Sequence, residues 1–344
     1  MRQVLLSSLV VAAFLPLAAT ASSLYVSSYG TDSVLGYEGT TGAFIEAFVA
    51  SGSGGLKGPV GLTFGPDGNL YVGSLGLGGI GSQGILRYDS ASGKFLNVFV
   101  PAGSGGLIAP LGMTFGPDKN LYVVDFVGNQ VLRFDGNTGA FQGVFASSTG
   151  TAPLNEPAGI VFGPDNNLYL STGANNVLRY DGMTGAFLGS FVSAGSGGLN
   201  SPDDLKFGPD GNLYVGSELT SEVLRYDGKT GAFLGAFVSS GSGGLTGAGG
   251  LTFGPDGNLY VGSASGGLNN ILRYNGQTGA FLNVFVTSSS GGLDTPTLFT
   301  FGPNIVPEPS TILLVTTAFV VLFWARVVHG RGCPSVGRRS RSSS

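Results

Sequence analysis

Between Ser22 and Ile305 the chain has neither a histidine nor a cysteine; His329 and Cys333, its only ones, lie close to the C-terminus. Without imidazole, that long stretch cannot build a Ser-His-Asp triad, a Cys-His pair or a His-ligated metal site. A single cysteine also rules out any intrachain disulfide, so a core and hydrogen-bonded ladders must carry the stability. Charge is scarce, at 10% of residues, and unevenly placed. Ten Lys/Arg face 19 Asp/Glu between Ser22 and Ile305. An acidic body argues against nucleic acid as a partner, because phosphate binding needs a basic face.

Glycine is what the chain has in excess, 62 of 344 residues, with no G-X-Y period and with 11% aromatics. That combination excludes collagen and disorder and leaves short strands joined by tight turns. The phrase F-G-P recurs at Phe64, Phe115, Phe162, Phe207, Phe253 and Phe301, at gaps of 51, 47, 45, 46 and 48 residues. A period of this length filled with strand and turn signals predicts β-propeller blades.

One unit, Lys206 to Val238, shows four strand pieces: "KFGPDG", "NLYVGS", "EVLRYDG" and "GAFLGAFV". Leu224, Tyr226, Phe233 and Phe237 are expected on the buried face. The second strand occurs six times, from Leu24 to Leu259, but the N-terminal copy lacks a first strand. The C-terminus supplies one, Leu298 to Pro303, with nothing after it. Together they complete a blade and remove two free sheet edges. The expected fold is therefore all-β, a six-bladed propeller of four-stranded blades over residues 22–304, with one-plus-three closure.

"GNLYV" and "VLRYDGKTGAF", with a proline five residues before most F-G-P phrases, resemble NHL-type propeller repeats and the related gluconolactonase and streptogramin-lyase propellers. The resemblance implies fold more than activity. Streptogramin lyases use a catalytic histidine, which this body lacks. Gluconolactonase-like propellers hold a divalent metal in the central channel, and their P-D-G motif is approximated by Pro202-Asp203-Asp204. The positions matching Asp203 are Val60, Leu111, Ala158, Gly249 and Thr297, and a hard cation wants several oxygen ligands. Divalent metal is thus a cofactor only of the alternative function, a metal-dependent lactonase or hydrolase.

The carboxylates that depart from the repeat are Asp125, Glu156, Asp203, Asp204 and Glu218, and these are the candidate channel or ligand-binding residues. Asp203 and Asp204 precede an innermost strand and read as a solvated loop pair, with the channel mouth as the alternative. Asp125 matches an aspartate that follows "YV" in NHL repeats, which implies hairpin capping. The five recurring "GPDGN"-type aspartates read as turn residues bonding nearby N–H groups. The recurring arginines of "LRY" or "LRF" read as exposed or between-blade positions, and "GSGGL" as a blade crossover.

The termini carry targeting signals. Met1–Ala21 has a basic start, an apolar run and an A-x-A site ending at Ala21, as a cleaved secretory signal does. At the other end, Ile312 to Ala325 is 14 residues without a charge. With Val327 and Val328 it is expected to form a short membrane helix over about 312–328. Arg326 would snorkel, and Arg331, Arg338, Arg339 and Arg341 would hold the tail, 332–344, in the cytoplasm. Pro307-Glu308-Pro309, then the apolar run, then arginines, resembles the PEP-CTERM sorting signal, here 305–331. That resemblance implies processing by an exosortase, in exported proteins of Gram-negative bacteria that make exopolysaccharide. The expected protein is membrane-anchored before sorting and then cell-surface or extracellular. Its expected role is a non-enzymatic module binding polysaccharide or surface proteins.

Overall fold

A computed structural model describes residues 22–76, 84–148, 154–263 and 267–305. Among them, twenty-four strands form six four-stranded antiparallel sheets. The innermost strands are Pro59–Phe64, Pro110–Phe115, Pro157–Phe162, Pro202–Phe207, Ala248–Phe253 and Pro296–Gly302. Each touches the next and the last touches the first, so they ring a central axis. The chain is a six-bladed propeller.

Closure joins the two ends of the ring. Strand Ser23–Ser28 pairs with Pro296–Gly302 on one side, matching Leu24 with Phe301 and Val26 with Phe299, and with Ser33–Glu38 on the other. Blade one thus takes one strand from the C-terminal side and three from the N-terminal side. Beyond Gly302 the chain is still packed: Ile305 is buried, and its N–H donates to Ser23 Oγ at 2.9 Å.

What locks blade to blade is aromatic. The tyrosine of every second strand is wedged edge-on between the outer-strand Phe of its own blade and the inner-strand Phe of the next. Tyr169 lies 4.9 Å from Phe191 and 5.0 Å from Phe207, ring centre to ring centre. Tyr260 repeats this between blade six and the last strand, with Phe285 at 4.8 Å and Phe301 at 4.9 Å. Edge-to-face pairs contribute about 0.5–1.5 kcal/mol beyond the area they bury. Five of these tyrosines also donate through their hydroxyls to the repeated aspartates (Asp67, Asp118, Asp165, Asp210 and Asp256) at 2.9–3.1 Å. Burial, with that aspartate's charge adding to it, pushes Tyr71, Tyr122, Tyr169, Tyr214 and Tyr260 up to about 12, so they remain neutral donors.

The repeated turn chemistry is accounted for within the ring. Each "GPDGN"-type aspartate accepts the backbone N–H two residues on and that residue's side-chain amide, an Asx turn. The recurring arginines sit 5.4–5.9 Å over the outer-strand Phe rings of their own blades. They are half-buried packing groups. In the "GSGGL" crossovers the middle glycine of Ser-Gly-Gly is left-handed and lies under a Phe ring. A Cβ on Gly54, at φ +64, would stand 2.1 Å from Phe95. Crossover carbonyls in turn accept third-strand hydroxyls, as Ser53 O does from Tyr88 at 2.9 Å.

Burial follows a simpler rule than strand alternation predicts. Second and third strands lie inside the sheet, so Val223, Leu224 and Tyr226 are all buried. Outer strands are edges: Phe237 is buried, but Phe233, expected in the core, is 42% exposed and leans on Tyr226 at 5.7 Å. Among the described residues no helix is long and apolar enough to cross a membrane, and the stretch 312–328 lies outside them. Deleting Thr295–Asn304 removes the strand that completes blade one; the melting temperature is expected to fall sharply, and an unchanged melt would contradict the closure.

Candidate functional site

Blade five breaks the pattern where it faces the axis. The other inner strands read PVGLTF, PLGMTF, PAGIVF, AGGLTF and PTLFTF; this one reads PDDLKF. Three charged side chains therefore stand on one inner strand, while the other five inner strands carry no charge. Asp204 and Lys206 line an axial cavity of about 180 Å³ with Thr63, Thr114, Val161 and Thr300. Asp203 and Glu218 line a second, of about 210 Å³, with Val60, Leu111, Ala158 and Thr297.

The placement corrects the expectation of a solvated loop pair: Asp203 and Asp204 are inside the inner strand. That strand shifts register between Pro202 and Leu205, which turns both residues out of the regular ladder. Asp204 is 3% exposed and saturated. Its Oδ1 accepts from Lys206 Nζ at 2.7 Å and Leu205 N at 2.9 Å. Its Oδ2 accepts from Lys206 Nζ at 2.9 Å and, in blade six, from Leu251 N at 3.2 Å. A buried charge is tolerable when paired and hydrogen-bonded, and this one is.

Four blades carry glycine where Asp204 stands, because neighbouring inner strands nearly touch. A Cβ on Gly159 would lie 2.4 Å from Asp203 O. Room in blade five comes from Ala248-Gly249-Gly250 opposite, the inner strand that lacks the usual proline; a Cβ on Gly249 would meet Asp203 Oδ2 at 3.2 Å. The two irregular blades explain each other.

Asp203 has no such satisfaction. Among the described residues its carboxylate accepts no hydrogen bond, although its backbone carbonyl accepts from Ser171 Oγ at 2.5 Å. Burial first, then the charges of Asp204 and Glu218, push it up to about 7, with Lys206 pulling the other way. Glu218 is exposed at the rim, where its Oε2 accepts from Ser201 Oγ at 3.2 Å.

Two candidates lie elsewhere. Asp125, expected to cap a hairpin, is fully buried and ties down the crossover before its blade: Oδ1 accepts from Ile108 N at 3.3 Å and Ala109 N at 2.9 Å. Its Oδ2 accepts from Gln130 Nε2 at 3.1 Å, across the hairpin. Serines do the crossover task in other blades, as when Ser217 Oγ accepts from Asn200 N at 3.0 Å. Glu156 is exposed, at φ +47, and its N–H donates to Asn129 Oδ1 of the preceding blade at 2.7 Å. Ser201 makes the same inter-blade bond to Asn175 Oδ1 at 2.8 Å. Ala21, Pro307, Glu308, Pro309, Arg326, Arg331, Arg338 and Arg339 lie outside the described residues. Lys206 was not among the sequence candidates, yet it is the lone lysine of the six inner strands and two residues from Asp204, hence on the same face.

These donors do not fit a divalent metal. Among the described residues no three His, Cys, Asp or Glu side chains converge, and both Asp204 oxygens are committed to Lys206. A hard cation takes six to eight oxygens.

No family model matches the chain, and no curated protein matches it. Solved structures do. A nidogen–laminin complex superposes with TM-score 0.60 at 16% identity, over 83% of this chain and all of that one. A Bacteroides caccae protein of unknown function gives 0.62 at 13%, with the same coverage. A streptogramin B lyase gives 0.50 at 18%, over 68% of this chain and 70% of the other. At such identities the likeness is one of fold.

The raised Asp203 fixes a sign. Its folded pKa of about 7 exceeds the unfolded value of 3.8, so the folded state holds the proton longer and ionisation costs stability as pH rises from about 4 to about 7. Asp203→Asn is therefore expected to melt higher than the parent at pH 8, with the difference vanishing near pH 4. A constant difference across that range, measured by calorimetry, would contradict it.

Proposed function

We propose that the chain is an exported propeller, carried through an exosortase-type processing step to the cell surface or extracellular matrix. There it acts as a non-enzymatic binding and scaffold module for polysaccharide or other surface proteins. One observation carries the binding reading. The polar residues repeated in the blades are committed to Asx turns, crossover ties and inter-blade bonds, while the one departure on the axis is a ligand-sized cavity with an unpartnered carboxylate. The termini support export: an A-x-A signal ending at Ala21, and Pro307-Glu308-Pro309 followed by an apolar run and Arg326, Arg331, Arg338 and Arg339. Before sorting, that run anchors the protein in the membrane. The similarity to a chain of a nidogen–laminin complex, an assembly of two proteins, supports a binding role. The rival, a metal-dependent lactonase, finds no adequate ligand set among the described residues.

Mass spectrometry of the mature protein tests the sorting. A chain ending within residues 307–311 is expected, and an intact Ser344 would overturn it. Metal-dependent lactone hydrolysis by the same preparation would overturn the non-enzymatic part.

A further inference from the structure

We propose that the axial cavity beside Asp203 binds a protonated amine carried on a small, ring-sized apolar body. The inference deepens the binding reading by naming its ligand class, and it does not depend on whether the C-terminus is processed. The cavity of about 210 Å³ is walled by Val60, Leu111, Ala158 and Thr297, each from a different blade. These offer contact to an uncharged body but nothing that would orient it. The fifth blade adds the carboxylate of Asp203, and Glu218 adds a second at the rim.

What Asp203 lacks defines the ligand. Asp204, one residue on, is bonded to Lys206 and to two backbone N–H groups, so its charge is already balanced. Asp203 lines the cavity with no donor directed at it. Asp203 is half-buried, and a carboxylate partly withdrawn from water without a protein donor is stabilised when a cation with N–H donors lies beside it. An ammonium group supplies up to three donors from one point charge. A metal would need more oxygens than converge here, and an anion would meet two negative charges.

The charged groups facing Asp203 are Asp204 and Lys206 on its own strand and Glu218 beyond the next strand. Flanking inner strands Pro157–Phe162 and Ala248–Phe253 bring none. Ionised Asp203 is the binding form, so affinity should rise with pH as Asp203 loses its proton, while an alkylamine, like lysine near 10.4, stays charged.

Cyclohexylamine and cyclohexanol, which share a ring and differ in charge, are suitable probes for calorimetric titration of the mature protein. Cyclohexylamine is expected to bind, about tenfold more tightly at pH 8 than at pH 6, and cyclohexanol to fail to compete. Asp203→Asn, which keeps the side chain's size, should weaken binding at least about tenfold, the change expected for losing a charge-assisted hydrogen bond. Glu218→Gln at the rim should weaken it less. Equal binding of the two probes, affinity that falls as pH rises, or full retention in a folded Asp203→Asn protein would overturn the proposal. Loss of amine binding by those criteria would leave the sorting result untouched, so the two readings fail separately.

Discussion

Six edge-on tyrosines hold this ring together. Each stands between two phenylalanines, one in its own blade and one in the next, with ring centres 4.8–5.1 Å apart. No disulfide helps, and the ring closes without a covalent link, where Ser23–Ser28 pairs with Pro296–Gly302 inside blade one. Blades that met only through loops would slide; blades that share a wedged ring cannot separate without exposing three aromatic side chains. Most repeated polar residues then serve the same end. The turn aspartates hold the tyrosine hydroxyls, and residues such as Asn129 and Asn175 bond the N–H that starts the next blade.

That economy constrains where recognition can arise. A residue repeated in five or six blades is engaged in the ring and is poorly placed to discriminate a ligand. Discrimination belongs to positions where one blade differs, and on the axis the difference is concentrated in PDDLKF and its glycine-rich neighbour AGGLTF. Even there, Asp204 and Lys206 neutralise each other and Asp204 also accepts from blade six, leaving Asp203 as the unsatisfied group. Charge has entered the channel in a form that is mostly structural, with one carboxylate in excess.

Much of the architecture was legible in the residues because its causes are local and repeated. The F-G-P period counts blades, the D-G and T-G pairs mark turns, and the missing first strand before Leu24 forces Phe301 to close the ring. Other features depend on neighbours that no single blade reveals. Phe233 alternates as a core residue does, yet it lies on an edge strand and stays 42% exposed. Asp203 and Asp204 were expected before the strand because the register shift after Pro202 is invisible in the pattern. Asp125 resembled a hairpin cap, but its chief contacts are 16 and 17 residues upstream, where the crossover passes. Lys206 was readable: a lysine two residues from an aspartate on one strand shares its face.

The central claim is that the seam inside blade one, where Ser23–Ser28 pairs with Pro296–Gly302 without a hairpin joining them, is equivalent to the chain-connected pairing of first and second strands in the other blades. Double-mutant cycles measure this directly, comparing Val26→Ala with Phe299→Ala at the seam against Leu170→Ala with Ile160→Ala at the matching positions of blade four. Coupling of about 0.2–1 kcal/mol is expected in each pair, the range for cross-strand neighbours. Coupling for Leu170 and Ile160 with none for Val26 and Phe299 would mean that the ring is open, and would contradict it.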